Sequence, residues 1–305
     1  MTSVKPVVSH GEVVTLLARY LPSPIRDVRP LAGGNVALTF ACTAGTADGA
    51  RYVVRFNHRR AANFAKEAHI ARALAPMSVP IPPILHVGAH GDLAFAISRR
   101  APGIAFDLLS PADATLDAIH GVDVGATAGF GTFDDEGVGL FPSWRHYVES
   151  IHEEEPDGSF YGTWHGLFET TFLDRDTFDA VYARMADLLP FCPEDRSLVH
   201  GDFGFGNVLV HDGRISAVLD WVDAKYGDFL YDVAWLDFWA ANPDRIDFAA
   251  VFADHYAATG VAVPNYAERL ACYQHYIALD AFRYCAEAND EWGYRWMQDR
   301  LHALL

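Results

Sequence analysis

The chain of 305 residues contains no apolar run near the roughly 18 residues that a membrane-spanning helix needs. Its first residues, "MTSVKPVVSHGEVV", hold no long apolar stretch of the leader type. A soluble, cytoplasmic protein is the expectation. Cysteine is scarce: Cys42, Cys192, Cys272 and Cys285 stand far apart with no C-x-x-C spacing. That argues against a zinc site and a disulfide frame, and leaves small buried side chains of a reducing compartment. Basic residues are also few, 23 Lys and Arg against 40 Asp and Glu, for a net charge of −17. A nucleic-acid footprint is therefore excluded as a property of the whole chain. The acidic excess serves solubility, and more sharply it fits a cleft that attracts a cationic ligand. Internal repeats and low-complexity tracts are absent.

What is present is enough apolar surface for a large core, with 51% hydrophobic and 13% aromatic residues. The length exceeds that of the usual single domain, so two lobes are expected. Ser9 is placed to cap a helix running to about Tyr20, with Val13, Leu16, Leu17 and Tyr20 at helical spacing. Strand-like runs follow: one entering "LAGGN", then "VALTFAC" and "RYVVRFN". The segment 61–74 reads as a helix with Phe64, Ala68, Ala71 and Leu74 near one face, and "LAFAISRR" (93–100) as an apolar strand. Beyond "APG" (101–103) the pattern is mainly helical, at about 143–152, 165–189, 228–240, 244–259 and 264–304. A lobe boundary is expected at about residue 100, giving lobes 1–100 and 101–305 with a hinge at 99–103.

The main interruption of the helical part is "LVHGDFGFGNVLVHDGRISAVLDW", from Leu198 to Trp221. A short apolar strand leads to Asp202 in a loop where Gly201, Gly204 and Gly206 permit unusual backbone angles. Asn207 follows, then a hairpin with Asp-Gly at its tip, and Asp220 at the end of the returning strand. Three oxygen-bearing side chains thus converge at one end of a hairpin. Such oxygens hold Mg²⁺, which keeps much of its shell for water and phosphate. An acid not consumed by the metal can take the proton of an attacking hydroxyl. The spacing Asp-x4-Asn, followed by an Asp closing the next hairpin, matches the catalytic loop and metal-binding Asp of the protein-kinase template.

"HGDFGFGNVL" followed by "AVLDW" resembles the aminoglycoside phosphotransferase family, kinase-like enzymes acting on small molecules, and the resemblance covers nearly the whole chain. "GDFLYDVAWL" resembles the family's Gly-Asp-Pro segment, with Phe229 in place of the proline. "PIPPILHVG", "ISRRAPG" and "GFGTFDDEGVGLFPSWRHYV" are similar to segments of bacterial hygromycin B phosphotransferases. The resemblance implies a bilobal α+β protein-kinase-like fold, with a small sheet lobe before a larger helical one. It also implies that Asp202 is the catalytic base and that Asn207 and Asp220 hold metal ions. Asp228 and Asp232 would be structural, tying a helix start to the catalytic loop.

On the nucleotide side, the glycine pair of "LAGGNVALTF" can bring backbone N–H groups near phosphate oxygens. The resemblance makes Gly33, Gly34 and Asn35 the nucleotide loop. Kinases place a lysine on the third strand; here Arg55 stands in "YVVRF", with Glu67 as its helix partner and Lys66 as the alternative cation. Arginine is a planar fork, able to clamp two phosphates. By the same resemblance, the Arg99 carbonyl and the Ala101 amide would hold the base edge of ATP or GTP. The acceptor expected is a small hydroxylated molecule, cationic in the hygromycin B case. Asp223, Asp237, Glu287, Asp290 and Glu291 are candidate partners for its amines, and Trp235, Trp239 and Trp292 candidate walls for sugar rings. Another small metabolite as acceptor, or a pseudo-enzyme that only binds nucleotide, are the rival readings. The short distance from "LDW" to "GDFLYDVA" leaves no long activation segment for docking a protein acceptor.

Overall fold

A computed structural model describes residues 5–32, 37–45, 49–58, 61–76, 79–105, 113–155, 161–204, 206–240 and 246–304. In chain order its elements begin with α1 (His10–Tyr20), β1 (Ile25–Pro30), β2 (Leu38–Ala44), β3 (Ala50–Asn57), α2 (Ala61–Leu74), β4 (Ile84–His90), β5 (Leu93–Arg99) and β6 (Ile104–Ala105). Next come α3 (Asp113–His120), β7 (Phe130–Phe133), β8 (Gly139–Phe141), α4 (Trp144–Glu149), α5 (Leu167–Thr170), α6 (Arg175–Leu188) and β9 (Ser197–Val199). The chain ends with β10 (Val208–His211), β11 (Arg214–Val218), β12 (Lys225–Gly227), α7 (Leu230–Trp239), α8 (Phe248–Thr259), α9 (Tyr266–Glu287) and α10 (Glu291–Leu304). Two compact units emerge from the packing. One comprises residues 1–110, 134–137 and 204–222, and the other 111–133, 138–203 and 223–305.

The first unit is built on an antiparallel sheet of order β1-β2-β3-β5-β4. Helix α1 starts where expected: Ser9 and Glu12 cap each other reciprocally, satisfying otherwise orphaned N–H groups. Its Val13, Leu16 and Leu17 pack on Phe40, Tyr52, Val54, Phe56, Phe95 and Ile97 of the sheet, while Tyr20 at the helix end is exposed. Alternation along β3 sends Tyr52, Val54 and Phe56 into that core, which turns Arg51, Val53 and Arg55 to the opposite face. Helix α2 covers that second face, with Phe64 on Ala94 and Ala96, and with Ala68, Ala71 and Leu74 buried as their spacing predicts. The hairpin β10–β11 also belongs to this unit. It turns at Asp212 and Gly213, both at positive φ, the backbone that an Asp-Gly tip supplies most readily. Strand β6 pairs with β10, and Ser216 Oγ donates to the Pro102 carbonyl at 2.6 Å, so segment 102–105 lies along the hairpin.

The second unit surrounds α9, which packs against α6, α7 and α10. A small sheet, β8-β7-β12-β9, carries the strand that leads to Asp202. Two helices expected to be continuous are broken. The 165–189 stretch divides before Asp174, whose carboxylate accepts the Thr177 N–H at 2.8 Å and caps α6. The 264–304 stretch divides at Asn289, with φ of 54°, and Asp290 accepts the Gly293 N–H at 2.9 Å to start α10. Strands β7 and β8 carry only a few residues each and no expected strand covers them. None of the helices among the described residues is long and apolar enough to cross a membrane.

Candidate active site

In the second unit, β9 delivers the chain to a sharp turn at His200, Gly201 and Asp202. Gly201 has φ of 83°, and a Cβ there would stand 2.3 Å from the Asp223 carbonyl oxygen, so only glycine fits. Asp232, in the first turn of α7 and fully buried, clamps this turn. One carboxylate oxygen accepts the Gly201 N–H at 2.8 Å; the other accepts the His200 N–H at 2.9 Å and meets His120 Nε2 at 3.0 Å. Burial pushes the Asp232 carboxyl up, but the hydrogen bond and charge of His120, the charge of His200 and the Gly201 N–H outweigh it. Its pKa lies below the ordinary aspartate value. Asp202 itself is half-buried, and its N–H donates to His200 Nδ1 at 3.2 Å.

Asp228 ties the same region to α9. It accepts from Arg269 Nε at 2.8 Å and from the Tyr273 hydroxyl at 2.6 Å. The expected tie between the helix start and the turn is visible in the hydrogen bonds of Asp232, whereas Asp228 joins the helix start to α9. His120, Arg269 and Tyr273 were not singled out from the sequence. They lie 112 to 41 positions from their partners in α7 and the loop before it, and no local pattern signals such pairings.

The first unit gathers a second group. Asn207 and Asp220 flank the paired ends of β10 and β11: Val208 opposes Val218, and the Leu219 N–H donates to the Asn207 carbonyl at 2.6 Å. Asp220 has φ of 58°, a left-handed conformation uncommon for a residue with a side chain and one that Asp and Asn adopt more readily than most. Arg55 on β3 and Glu67 on α2 form the expected ion pair, Nη2 to Oε2 at 2.5 Å, and Arg55 also lies 5.0 Å from the Phe64 ring centre. Burial pushes the Arg55 pKa down, but Glu67's charge and hydrogen bond and the Asp220 charge outweigh it and hold it above the ordinary value. Lys66, the alternative cation, is buried and donates to the Val222 carbonyl at 2.8 Å, two residues beyond Asp220.

Asp220 keeps an open side to solvent, yet the surrounding protein desolvates it in part. That desolvation, then the Glu67 charge, raises its pKa against the pull of Arg55. A carboxylate and an amide side chain at the paired strand ends are oxygen donors of the kind a hard divalent ion takes, with water and phosphate completing the shell. No cluster of three or more acidic, His or Cys side chains able to hold a metal occurs among the described residues, so a metal here depends on such outside oxygens.

The other expected nucleotide contacts are placed as follows. Gly33, Gly34 and Asn35 lie outside the described residues. Arg99 is exposed at the end of β5, its guanidinium 4.7 Å from the Tyr52 ring centre and its N–H on the Pro83 carbonyl. Ala101 is half-buried just beyond it. Of the acids considered for an acceptor, Asp223 is exposed, as are Glu287, Asp290 and Glu291. Asp237 is not available: it is buried and takes hydrogen bonds from Gln274 and the Ala249 N–H. Trp239 stacks on Trp296 at 6.0 Å between ring centres, whereas Trp292 is 75% exposed.

The model of the phosphotransferase enzyme family, APH, matches residues 27–271, a span that includes both groups apart from Tyr273. The chain belongs to this family. Hygromycin-B 4-O-kinase of Escherichia coli is 34% identical over 249 residues, spanning 77% of this chain and 68% of that protein. The crystal structure of a thermostable mutant of aminoglycoside phosphotransferase APH(4)-Ia, in ternary complex with ADP and hygromycin B, matches with a TM-score of 0.77. Identity is 30%, over 95% of this chain and 96% of that one. The fold alone is shared with spectinomycin phosphotransferase APH(9)-Ia, at 15% identity and a TM-score of 0.61. The family member described here is accordingly a kinase-like O-phosphotransferase of α+β architecture, with an antiparallel sheet early in the chain and helices later.

Proposed function

We propose that the protein transfers the γ-phosphate of ATP to a hydroxyl group of an aminoglycoside of the hygromycin B type, in the cytoplasm. The observation that carries the acceptor class is the 34% identity to a hygromycin B kinase over most of this chain. The distribution of charge supports it. The first unit carries 13 Lys and Arg against 11 Asp and Glu, a net of +2, and the second 10 against 29, a net of −19. A polycationic acceptor is attracted to the second unit, which holds Asp202.

In this reading residues 1–100 serve the nucleotide and 101–305 the chemistry and the acceptor, with 99–103 as the hinge. Arg55, oriented by Glu67, clamps phosphate oxygens. The backbone of Gly33, Gly34 and Asn35 covers them, and the Arg99 carbonyl and Ala101 amide hold the base edge. Asn207 and Asp220 would hold Mg²⁺, which when bound neutralises charge on the phosphates. Asp202 accepts the proton of the acceptor hydroxyl as that oxygen bonds to the γ-phosphorus. The bond from phosphorus to the β–γ bridging oxygen breaks, and ADP leaves. Base catalysis of this kind contributes about 10²–10⁴-fold; positioning and electrostatics carry most of the rate.

The experiment is to incubate the protein with ATP, Mg²⁺ and a panel of aminoglycosides and to read acceptor masses. Phosphate on hygromycin B supports the proposal. Phosphate on another acceptor alone keeps the reaction and rejects the substrate, and no transfer to any acceptor rejects the proposal.

A further inference from the structure

Lys225, in β12, is a buried cation that the chemistry above does not use, with 4% of its surface exposed. Burial lowers its pKa, against the pull of nearby carboxylates. Its ammonium lies 4.1 Å from the Tyr231 ring centre and 5.8 Å from that of Tyr147. It also stands 2.8 Å from where a Cβ on Gly201 would be, directly against the turn that presents Asp202. Strand pairing of Lys225 with Val199, the last residue before that turn's His200, fixes this approach. Asp223 from the preceding loop, Asp232 from α7, Asp280 from α9 and Asp202 from the turn all act on the ammonium. Asp232 holds the turn by hydrogen bonds to the His200 and Gly201 N–H groups, and the Lys225 ammonium packs against it at Gly201.

We infer that Lys225 is a positioning residue for phosphoryl transfer: its ammonium fixes the Gly201–Asp202 turn and offsets the carboxylates around it, at a cost in affinity for a cationic acceptor. The inference rests on the reading of Asp202 as the base. A fixed positive charge among four acids keeps them together in one arrangement, because like charges otherwise repel and move apart. The same charge repels an ammonium group of an acceptor arriving at Asp202. Positioning and acceptor affinity are therefore opposed, which a merely structural lysine would not produce.

The test is steady-state kinetics of Lys225→Met, an apolar replacement of similar length. kcat is expected to fall about tenfold or more, with KM for ATP unchanged. KM for hygromycin B is expected to fall severalfold, the effect of one unit charge removed a few ångströms away in a partly wet site. Lys225→Arg, which keeps the charge and can stack on Tyr231, restores part of kcat. Unchanged kcat, or a KM for hygromycin B that rises with the loss of kcat, overturns the inference. Should Lys225→Met not fold, the exposed Asp223→Asn carries the test: KM for the cationic acceptor rises, and an unchanged KM overturns it. Slow ATP hydrolysis by the wild type, with water as acceptor, separates the two readings. If no aminoglycoside is phosphorylated but hydrolysis still falls tenfold in Lys225→Met, the acceptor assignment fails and Lys225 stands. Hydrolysis unchanged by the substitution removes Lys225.

Discussion

Replacing Asp232 by alanine removes a carboxylate that accepts three hydrogen bonds in a dry interior: from the His200 N–H at 2.9 Å, the Gly201 N–H at 2.8 Å and His120 Nε2 at 3.0 Å. The two backbone donors have no water to turn to. Leaving a buried donor unsatisfied costs about 1–3 kcal/mol each, so a loss of roughly 3–5 kcal/mol is expected at neutral pH. Asparagine does not rescue, because both carboxylate oxygens accept, and either orientation of the amide points an NH₂ at an N–H or at His120. The functional consequence follows from the same contacts, since the two N–H groups belong to the turn that aims Asp202. A misplacement of about 1 Å costs on the order of 10²-fold in rate, so kcat falls by about that factor in whatever fraction remains folded.

The pH dependence carries a definite sign. The folded-state pKa of Asp232 lies below its unfolded value, so its stabilisation is complete above the unfolded value and is lost as pH falls through the folded one. The destabilisation of Asp232→Ala, measured by urea unfolding, is therefore full at pH 7 and narrows below pH about 4. A variant that loses less than about 1 kcal/mol at pH 7, or whose loss grows in acid, refutes the assignment of Asp232 as the clamp of the turn.

Asp202→Ala is expected to bind ATP with near wild-type affinity while turnover falls by about 10²–10⁴-fold, read by calorimetry and phosphate transfer. Arg55→Ala strands the buried Glu67 carboxylate; a stability loss of about 3–5 kcal/mol and a raised KM for ATP are expected. Arg55→Lys restores the charge but not the fork, and recovers stability more than KM. Gly201→Ala meets the Asp223 carbonyl and a φ of 83°, so melting temperature and kcat both fall; a neutral outcome would place the turn differently.

Most of the sheet and the hairpin were legible because their signals are local. Alternation in β3 separates Tyr52, Val54 and Phe56 from Arg55, and the Asp-Gly tip defines β10–β11. The ion pair of Arg55 and Glu67 was expected from the kinase template, which pairs a cation on the third strand with an acid on the following helix. The breaks before α6 and α10 were harder, because apolar periodicity continues across both. They turn on single residues, a capping Asp174 and a left-handed Asn289. Least legible were the groups behind the turn that holds Asp202. His120 reaches Asp232 across 112 positions, and Lys225 reaches the turn only because β12 pairs with β9. Nothing in a sequence window says that a lysine in "DAKYGD" lies against a glycine 24 residues earlier. Asp237 shows the converse, an acid that looked available and is spent on Gln274 and the start of α8.

The uneven division of charge bears on how one chain handles two ligands of opposite sign. An anionic nucleotide and a polycationic acceptor attract each other in solution, and an enzyme must bind them as separate partners before joining them. A unit of net +2 is nearly indifferent to polyphosphate at long range, so under the proposed function nucleotide recognition there would rest on a few placed groups such as Arg55. A unit of net −19 repels free nucleotide and draws in a cation without any single defining contact. Specific chemistry then has to be built against that field. The acids that do the structural work in the second unit are neutralised one by one, Asp228 by Arg269 and Asp232 by backbone N–H groups and His120. The charges of Asp202 and the exposed Asp223 also act on the buried Lys225, and under the proposed function that part of the field is the one an acceptor meets.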